Sequence, residues 1–203
     1  MCMYMMTTTN ETAQMVQNYD LEGAHSTLSR GGLLLFPTDT LWSIGCDATN
    51  PGAIDKLLQV KPSKASTPLE ILVDSVQMLK QYVDHLHPRI ETLLYYHVRP
   101  LTVVCKKARN LPSNLLPPDG RVAIRMVQDD FCRELIQSFG APLVATYATL
   151  NEQYFPSTFG GVSSEVIQAV DYVALHRRTE KTPGEPSVIV SLSEKDELIF
   201  LRE

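Results

Sequence analysis

The stretch from Leu33 to Thr40 constrains the chain most: an uninterrupted apolar run, Leu33 to Phe36, ends abruptly in Pro37-Thr38-Asp39-Thr40. Apolar residues at every position of a short segment suit a strand covered on both faces, which belongs inside an α/β sheet. Pro37 lacks an N–H and takes the chain out of the ladder, so two hydroxyls and a carboxylate gather at the strand's end. A loop of that composition after a buried strand is expected to line a ligand pocket. Thr38 and Thr40 carry two readings: their hydroxyls and adjacent amides hold a carboxylate or phosphate, or they only satisfy backbone donors of a turn.

The rest of the chain reads as one α/β unit. A chain of 203 residues, 44% apolar and 20% charged, can bury a sizeable core and is long enough for one domain. We expect residues 1 to 18, polar and Met-rich without a period, to form a mobile tail, and 19 to 203 a single domain. Asp20 precedes a helix with Leu21, Ala24 and Leu28 on one face, stopped by Gly31-Gly32. Asn50-Pro51 opens a helix that delivers Lys61 at its end, and Pro88 opens another. Gln128-Asp129-Asp130 and Gly140 bracket a fourth. Strands are expected at 69–73, 101–105, 121–126, 142–146, 171–175, 187–192 and 197–201. Few helices separate the late ones, so the sheet is expected to be mixed.

Several function classes are excluded or disfavoured. A net charge of -5 argues against gripping nucleic acid by bulk charge, and any such contact would be local. Two basic clusters, Lys106-Lys107-Ala108-Arg109 and His176-Arg177-Arg178 with Lys181, are the candidates for a tRNA or double-stranded RNA contact. The four cysteines lie far apart with no C-x-x-C pair, and the histidines show no ligand spacing, so no structural metal is expected. No stretch reaches the ~20 apolar residues of a membrane helix, and the N-terminus lacks a charged n-region, so a cytoplasmic location with no membrane contact is expected. P-loop, G-x-G-x-x-G, HExxH and G-x-S-x-G motifs are absent.

Cations near strand and helix ends remain. Lys61 and Lys64 flank Pro62 and Ser63, either as a ligand grip or as solvated surface. Arg125 closes the apolar segment Val122 to Ile124, where an unpaired cation is costly. It therefore needs a fixed anionic partner, either an internal carboxylate or a ligand.

In order, these pieces resemble the YrdC family, the L-threonylcarbamoyl-AMP synthases of tRNA modification. The resemblance runs from about residue 20 to 192. It rests on Gly31-Gly32, Phe36-Pro37-Thr38-Asp39-Thr40 for the family's Y-P-T-D-T, and Gly45-Cys46-Asp47-Ala48 for its G-C-D-A. The helix Ala53 to Lys61, then Pro68-Leu69, Pro100-Leu101-Thr102, Val122 to Arg125, Pro142 to Thr146 and Pro186-Ser187 follow in the family's order. The resemblance implies a twisted open mixed sheet with flanking helices and a concave, positively charged cavity. It also implies a reaction in which threonine, bicarbonate and ATP, the last with Mg2+, give threonylcarbamoyl-AMP and pyrophosphate. Carried over by position, Thr38 would hold threonine, Lys61 would face the carboxylate or phosphates, and Arg125 and Ser187 would line the nucleotide side. Thr40, Lys64, Thr146, Tyr147 and Thr149 would line the same pocket.

The departures fall in the pocket motifs. The family's K-x-R is Lys61-Pro62-Ser63, its S-x-N is Tyr147-Ala148-Thr149, and the T of its P-S-T is Val188. His97-Val98-Arg99 stands for W-P-G before P-L-T, and Val127 for the P of R-x-P. Serine cannot copy an arginine fork on phosphate, and losing one charge-assisted bond costs ~1.5 to 3 kcal/mol. Lys64 or Arg99 is a candidate to supply the missing cation. The alternative to a synthase is accordingly a catalytically impaired family member that binds nucleotide, tRNA or double-stranded RNA.

These departures give a direct expectation. Restoring Ser63→Arg, Tyr147→Ser and Thr149→Asn together should raise synthesis more than any single change, non-additively, because the three act on one substrate. A triple variant with the parent's rate in a pyrophosphate-release assay would contradict this.

Overall fold

The computed structural model describes residues 21–61, 69–150 and 154–203. The expected tail at 1 to 18, Asp20, and the pair Ser63 and Lys64 lie outside the described residues.

The described chain runs α1 (Leu21–Ser29), β1 (Leu34–Phe36), β2 (Ser43–Asp47), α2 (Pro51–Val60), β3 (Glu70–Val73), α3 (Val76–Tyr82) and α4 (Pro88–Tyr96). It continues with β4 (Leu101–Cys105), β5 (Val122–Met126), α5 (Asp130–Phe139), β6 (Leu143–Tyr147), α6 (Ser164–Gln168), β7 (Tyr172–Val173), β8 (Val188–Leu192) and β9 (Leu198–Arg202). The helix ends obey local chemistry. The Asn50 side chain accepts from Gly52 N and Ala53 N, and Asp129 accepts from Cys132 N. Gly140 ends α5 in the left-handed region at φ 77°, donating to Ile136 O.

The strands form one mixed sheet in the order β7-β1-β2-β6-β3-β5-β4-β8-β9. The pairs β1·β7, β3·β5 and β4·β8 are parallel and the others antiparallel. Strand β2 was not expected from the pattern: Ser43-Ile44-Gly45-Cys46-Asp47 is short and interrupted by glycine, and its place comes from pairing with β1 and β6. One face of the sheet carries Ile44, Ile71, Val103, Ile124, Val144 and Val190, which pack in one cluster with residues of α2, α3 and α4. The other face is apolar only over half its width, where Leu34, Phe36, Leu72 and Leu143 meet α1 and α5.

Register shows how that second face changes character. Leu143 pairs with Leu72, Leu72 with Arg125, Arg125 with Thr102, Thr102 with Ile189, and Ile189 with Arg202. Paired residues share a face, so this row begins under α5 and ends in polar and cationic side chains. Glu70 and Ser187, two residues before Leu72 and Ile189, lie on the same face. The fold thereby collects a polar patch beyond the reach of α1 and α5, in which Arg125, Thr102 and Ser187 are themselves buried.

Gly45 marks the tightest place in the covered half. A Cβ there would lie 2.4 Å from the Val144 carbonyl oxygen and 2.9 Å from the Phe36 ring. Gly45→Ala is expected to lower the free energy of unfolding by about 1 to 3 kcal/mol through overpacking. Urea denaturation checks this, and an unchanged midpoint would contradict it.

Candidate functional site

The loop after β1 folds around Thr38. Its hydroxyl donates to Leu41 O at 2.9 Å, accepts from Thr40 N at 3.1 Å and lies 2.9 Å from the Thr40 hydroxyl. Both threonines are buried. Their internal bonds are those of a satisfied turn. Asp39 fastens this turn to the sheet, accepting from Gln128 N at 3.0 Å through one oxygen and pairing with Arg125 Nη1 through the other. Arg177 Nη1 holds the turn from outside by donating to Thr38 O at 2.8 Å. The backbone at Gly184 passes so close that a Cβ would meet the Thr40 carbonyl oxygen at 1.7 Å.

Arg125 is 1% exposed, and the anionic partner its position demands is internal and double. Besides Asp39, Glu70 Oε2 accepts from Arg125 Nε at 2.9 Å. Burial pushes the guanidinium down to about 10, which leaves it protonated at neutral pH. Burial likewise pushes Glu70 up to about 7, with the Thr102 hydroxyl and the positive field of Arg202 acting against that rise.

A directional chain of hydrogen bonds leads away from Glu70. The Thr102 hydroxyl donates to Glu70 Oε1 and lies 2.6 Å from Ser187 Oγ, which accepts from Arg202 Nη2 at 3.0 Å. Because Thr102 spends its proton on Glu70, Ser187 donates to Thr102, so the chain points from Arg202 to the carboxylate. Arg202 also donates to Ser187 O at 2.7 Å and to the Tyr147 hydroxyl at 3.2 Å. All three partners are neutral oxygens.

Lys61, the C-cap residue of α2, is buried and donates through Nζ to Tyr147 O at 2.7 Å. Thr146 and Tyr147 end β6, and the Tyr147 ring packs against Phe155 with centroids 4.8 Å apart. Thr149 is buried beside them, its N–H donating to Tyr147 O at 2.7 Å. It borders a cavity of about 510 Å³ lined also by Tyr154 and Glu165.

The structure therefore brings Thr38, Thr40, Arg125 and Ser187 into one connected patch with Lys61, Tyr147 and Thr149 at its border, whereas Thr146, in register with Ile44, lies on the opposite face of the sheet. Lys64 lies outside the described residues, and Arg99 faces Glu185 at 3.8 Å. Glu70 and Arg202 are site residues that the sequence reading missed. A signal for Arg202 existed: a lone cation ending the apolar run Leu198 to Leu201 is the pattern that drew attention to Arg125. The basic clusters are mostly engaged. Arg109 donates to Lys80 O and Gln81 O, Arg178 to Val173 O and Ala174 O, and Arg177 to Thr38 O. Lys106, Lys107 and Lys181 remain exposed.

Among the described residues, no group of three or more His, Cys, Asp or Glu side chains could hold a metal ion. Burial pushes the thiols of Cys46 and Cys105 up to about 12, which removes them as nucleophiles at neutral pH. No described helix is long and apolar enough to cross a membrane. The patch can bind and orient anions through Lys61, Arg202 and hydroxyls, which is the equipment of phosphate chemistry without a covalent step by the protein.

A family model named Sua5_yciO_yrdC and described as "Telomere recombination" matches residues 26–203. The chain is 28% identical over 155 residues to the threonylcarbamoyl-AMP synthase of Pseudoalteromonas translucida, covering 75% of this chain and 83% of that protein. It is 30% identical over 139 residues to that of Xanthomonas euvesicatoria, covering 67% and 74%. Among solved structures, E. coli YciO superposes with a TM-score of 0.77 at 16% identity, covering 90% of this chain and 88% of that one. P. abyssi Sua5 complexed with L-threonine superposes with a TM-score of 0.74 at 22% identity over 88% of this chain, which spans about half, 52%, of the Sua5 chain. At these identities the superpositions speak for the fold.

Breaking the buried cluster is expected to be expensive. Asp39→Ala removes one partner of a buried cation and an acceptor of Gln128 N–H, so unfolding should become easier by about 3 kcal/mol or more. Asp39→Asn retains acceptor capacity and should cost less. Equal urea midpoints for Asp39→Ala and the parent would contradict the cluster's role.

Proposed function

Because this chain belongs to the Sua5–YciO–YrdC family, we propose that it is a threonylcarbamoyl-AMP synthase of tRNA threonylcarbamoyladenosine modification, acting in the cytoplasm. Threonine condenses with bicarbonate, and the resulting carbamate attacks the α-phosphate of ATP, which enters as its Mg2+ complex. Threonylcarbamoyl-AMP and pyrophosphate leave. The observation that carries this reading is the Arg202 guanidinium, a cation held in a cradle of neutral oxygens beside Ser187 on the uncovered face. Such a group is oriented by its neighbours while its charge is left for an incoming anion.

In this reading Arg202 and Ser187 hold the nucleotide phosphates, and Lys61 faces the threonine carboxylate or the phosphates from the other border. Thr38, Thr40 and Thr149 shape the amino-acid side. Arg125, paired with Asp39 and Glu70, fixes the loop against β5. Displacement at phosphorus needs cations placed where charge gathers, and this constellation supplies them without a protein nucleophile.

The second reading, a family member that binds nucleotide or RNA with little or no synthesis, draws support from Tyr147. Where the family pattern has serine, its phenol takes one of the Arg202 hydrogen bonds and packs on Phe155. Any RNA contact would fall to the exposed Lys106, Lys107 and Lys181, because the neighbouring arginines serve backbone carbonyls.

Incubating the protein with ATP, Mg2+, bicarbonate and L-threonine separates the readings. Pyrophosphate release that stops when threonine is omitted, with threonylcarbamoyl-AMP seen by mass spectrometry, is the expected result. Arg202→Ala or Lys61→Ala should slow it roughly ten- to a hundredfold, the kinetic equivalent of one lost charge-assisted bond. Binding of ATP without threonine-dependent pyrophosphate at high enzyme concentration would favour the second reading. Absence of both ATP and RNA binding would defeat the two together.

A further inference from the structure

Glu70 stands out as a carboxylate in the middle of a patch otherwise suited to anions. Two acids contact Arg125, and they differ in kind. Asp39 is 7% exposed and has both oxygens committed, one to Arg125 and one to Gln128 N, so it is part of the frame. Glu70 is 20% exposed, heads β3 and lies over the Nε edge of the guanidinium, between Arg125 and the open face. It is also where the chain Arg202, Ser187, Thr102 terminates. The carboxylate of Glu70 thus collects donors from both arginines at once, one directly and one by relay, as a bound phosphate or carboxylate group would.

We propose that Glu70 is the specificity-determining residue of this site, its carboxylate occupying the seat of the ligand's anionic group on Arg125. A ligand anion takes that seat only when Glu70 is protonated and gives up its bond to Arg125. The proposal rests on the reading of this face as a nucleotide site. It assigns Arg125 two states: paired with Glu70 when the site is empty, and paired with the ligand when it is filled.

The balance of charge supports it. Among the described residues, the charged groups joined to Glu70 directly or through Arg125 and the hydroxyl chain are Arg125 from β5, Arg202 from β9 and Asp39 from the loop after β1. With Glu70 ionised, Asp39 and Glu70 offset Arg125 and Arg202; with it protonated, this network gains a full positive charge. Burial pushes Glu70 to about 7, so this change falls near neutral pH. The sign follows. A raised folded value means that protonated Glu70 is favoured in the fold, so its contribution to stability is present below the ordinary carboxylate range and is lost as pH climbs through about 7. Anion binding that needs protonated Glu70 strengthens in the same direction, by about tenfold from pH 8 to pH 6.

The test measures AMP affinity by calorimetry at several pH values between 6 and 8 for the parent, Glu70→Gln and Glu70→Ala. The ratio of variant to parent cancels the titration of AMP itself. Glu70→Gln should bind AMP about tenfold tighter than the parent at pH 8 and nearly equally at pH 6, with Glu70→Ala following the same trend. The parent alone, run in two buffers of different ionisation enthalpy, should take up close to one proton per AMP at pH 8. A ratio that does not vary with pH, weaker binding by Glu70→Gln, or no proton uptake would overturn the proposal. Parallel assays of threonine-dependent pyrophosphate release separate it from the functional reading. Turnover by the parent with no affinity gain in Glu70→Gln leaves the synthase reading and removes the Glu70 proposal. An affinity gain without turnover in either protein does the reverse. Failure of every protein to bind AMP removes both.

Discussion

The buried guanidinium of Arg125 is the constraint on which the rest of the structure depends. A cation 1% exposed is tolerable only if its charge and N–H groups are met, and the chain meets them with carboxylates from two distant segments. Asp39 brings the loop after β1 down onto β5, and through Gln128 N it also fixes the approach to α5. Glu70 ties β3 to β5 and, through Thr102, to β4 and Ser187. One side chain in the sheet therefore sets the relative placement of the loop, three strands and the segment leading into β8. Removing either carboxylate leaves N–H groups of a buried guanidinium unmet rather than a mere gap.

The same interaction explains why the uncovered half of the sheet is chemically useful. Helices α1 and α5 bury the apolar end of the cross-strand row, and beyond them the row turns polar at Arg125. Arg202 at the far end shares this face but among the described residues bonds to neutral oxygens, so the two arginines play unlike parts. One is neutralised and organises; the other is oriented and keeps its charge available. In the proposed ligand site, Glu70 is the group through which the locked arginine can be released to an anion.

Much of this was legible in the sequence because it depends on local chemistry. Asn50-Pro51, Asp129 and Gly140 set helix ends by hydrogen bonds to residues two to four positions away, and those helices lie where the pattern places them. The apolar run before Phe36 announced a strand covered on both faces, and the position of Arg125 announced a buried cation with an anionic partner. The rest depended on tertiary pairing. Strand β2 holds a glycine where Phe36 and Val144 approach, which hides its strand character. The partners of Arg125 come from 86 and 55 residues away, and no periodicity reports that distance. Arg177 and Arg178 look like a basic surface in the sequence, yet they cap carbonyls of the loop after β1 and of the segment after β7. Glu70 was hidden for the same reason, since a single acid at the head of a strand has no local signature.

The most direct measurement of the central claim is a crystal structure of the protein with L-threonine and a non-hydrolysable ATP analogue. The account predicts the phosphates on Arg202 and Ser187 with one phosphate oxygen in the place of the Glu70 carboxylate on Arg125 Nε, and threonine near Thr38 and Lys61. Nucleotide bound elsewhere, for instance in the roughly 250 Å³ cavity between His85, His87, Cys105 and Asp196, with the Arg125–Glu70 pair intact, would contradict it.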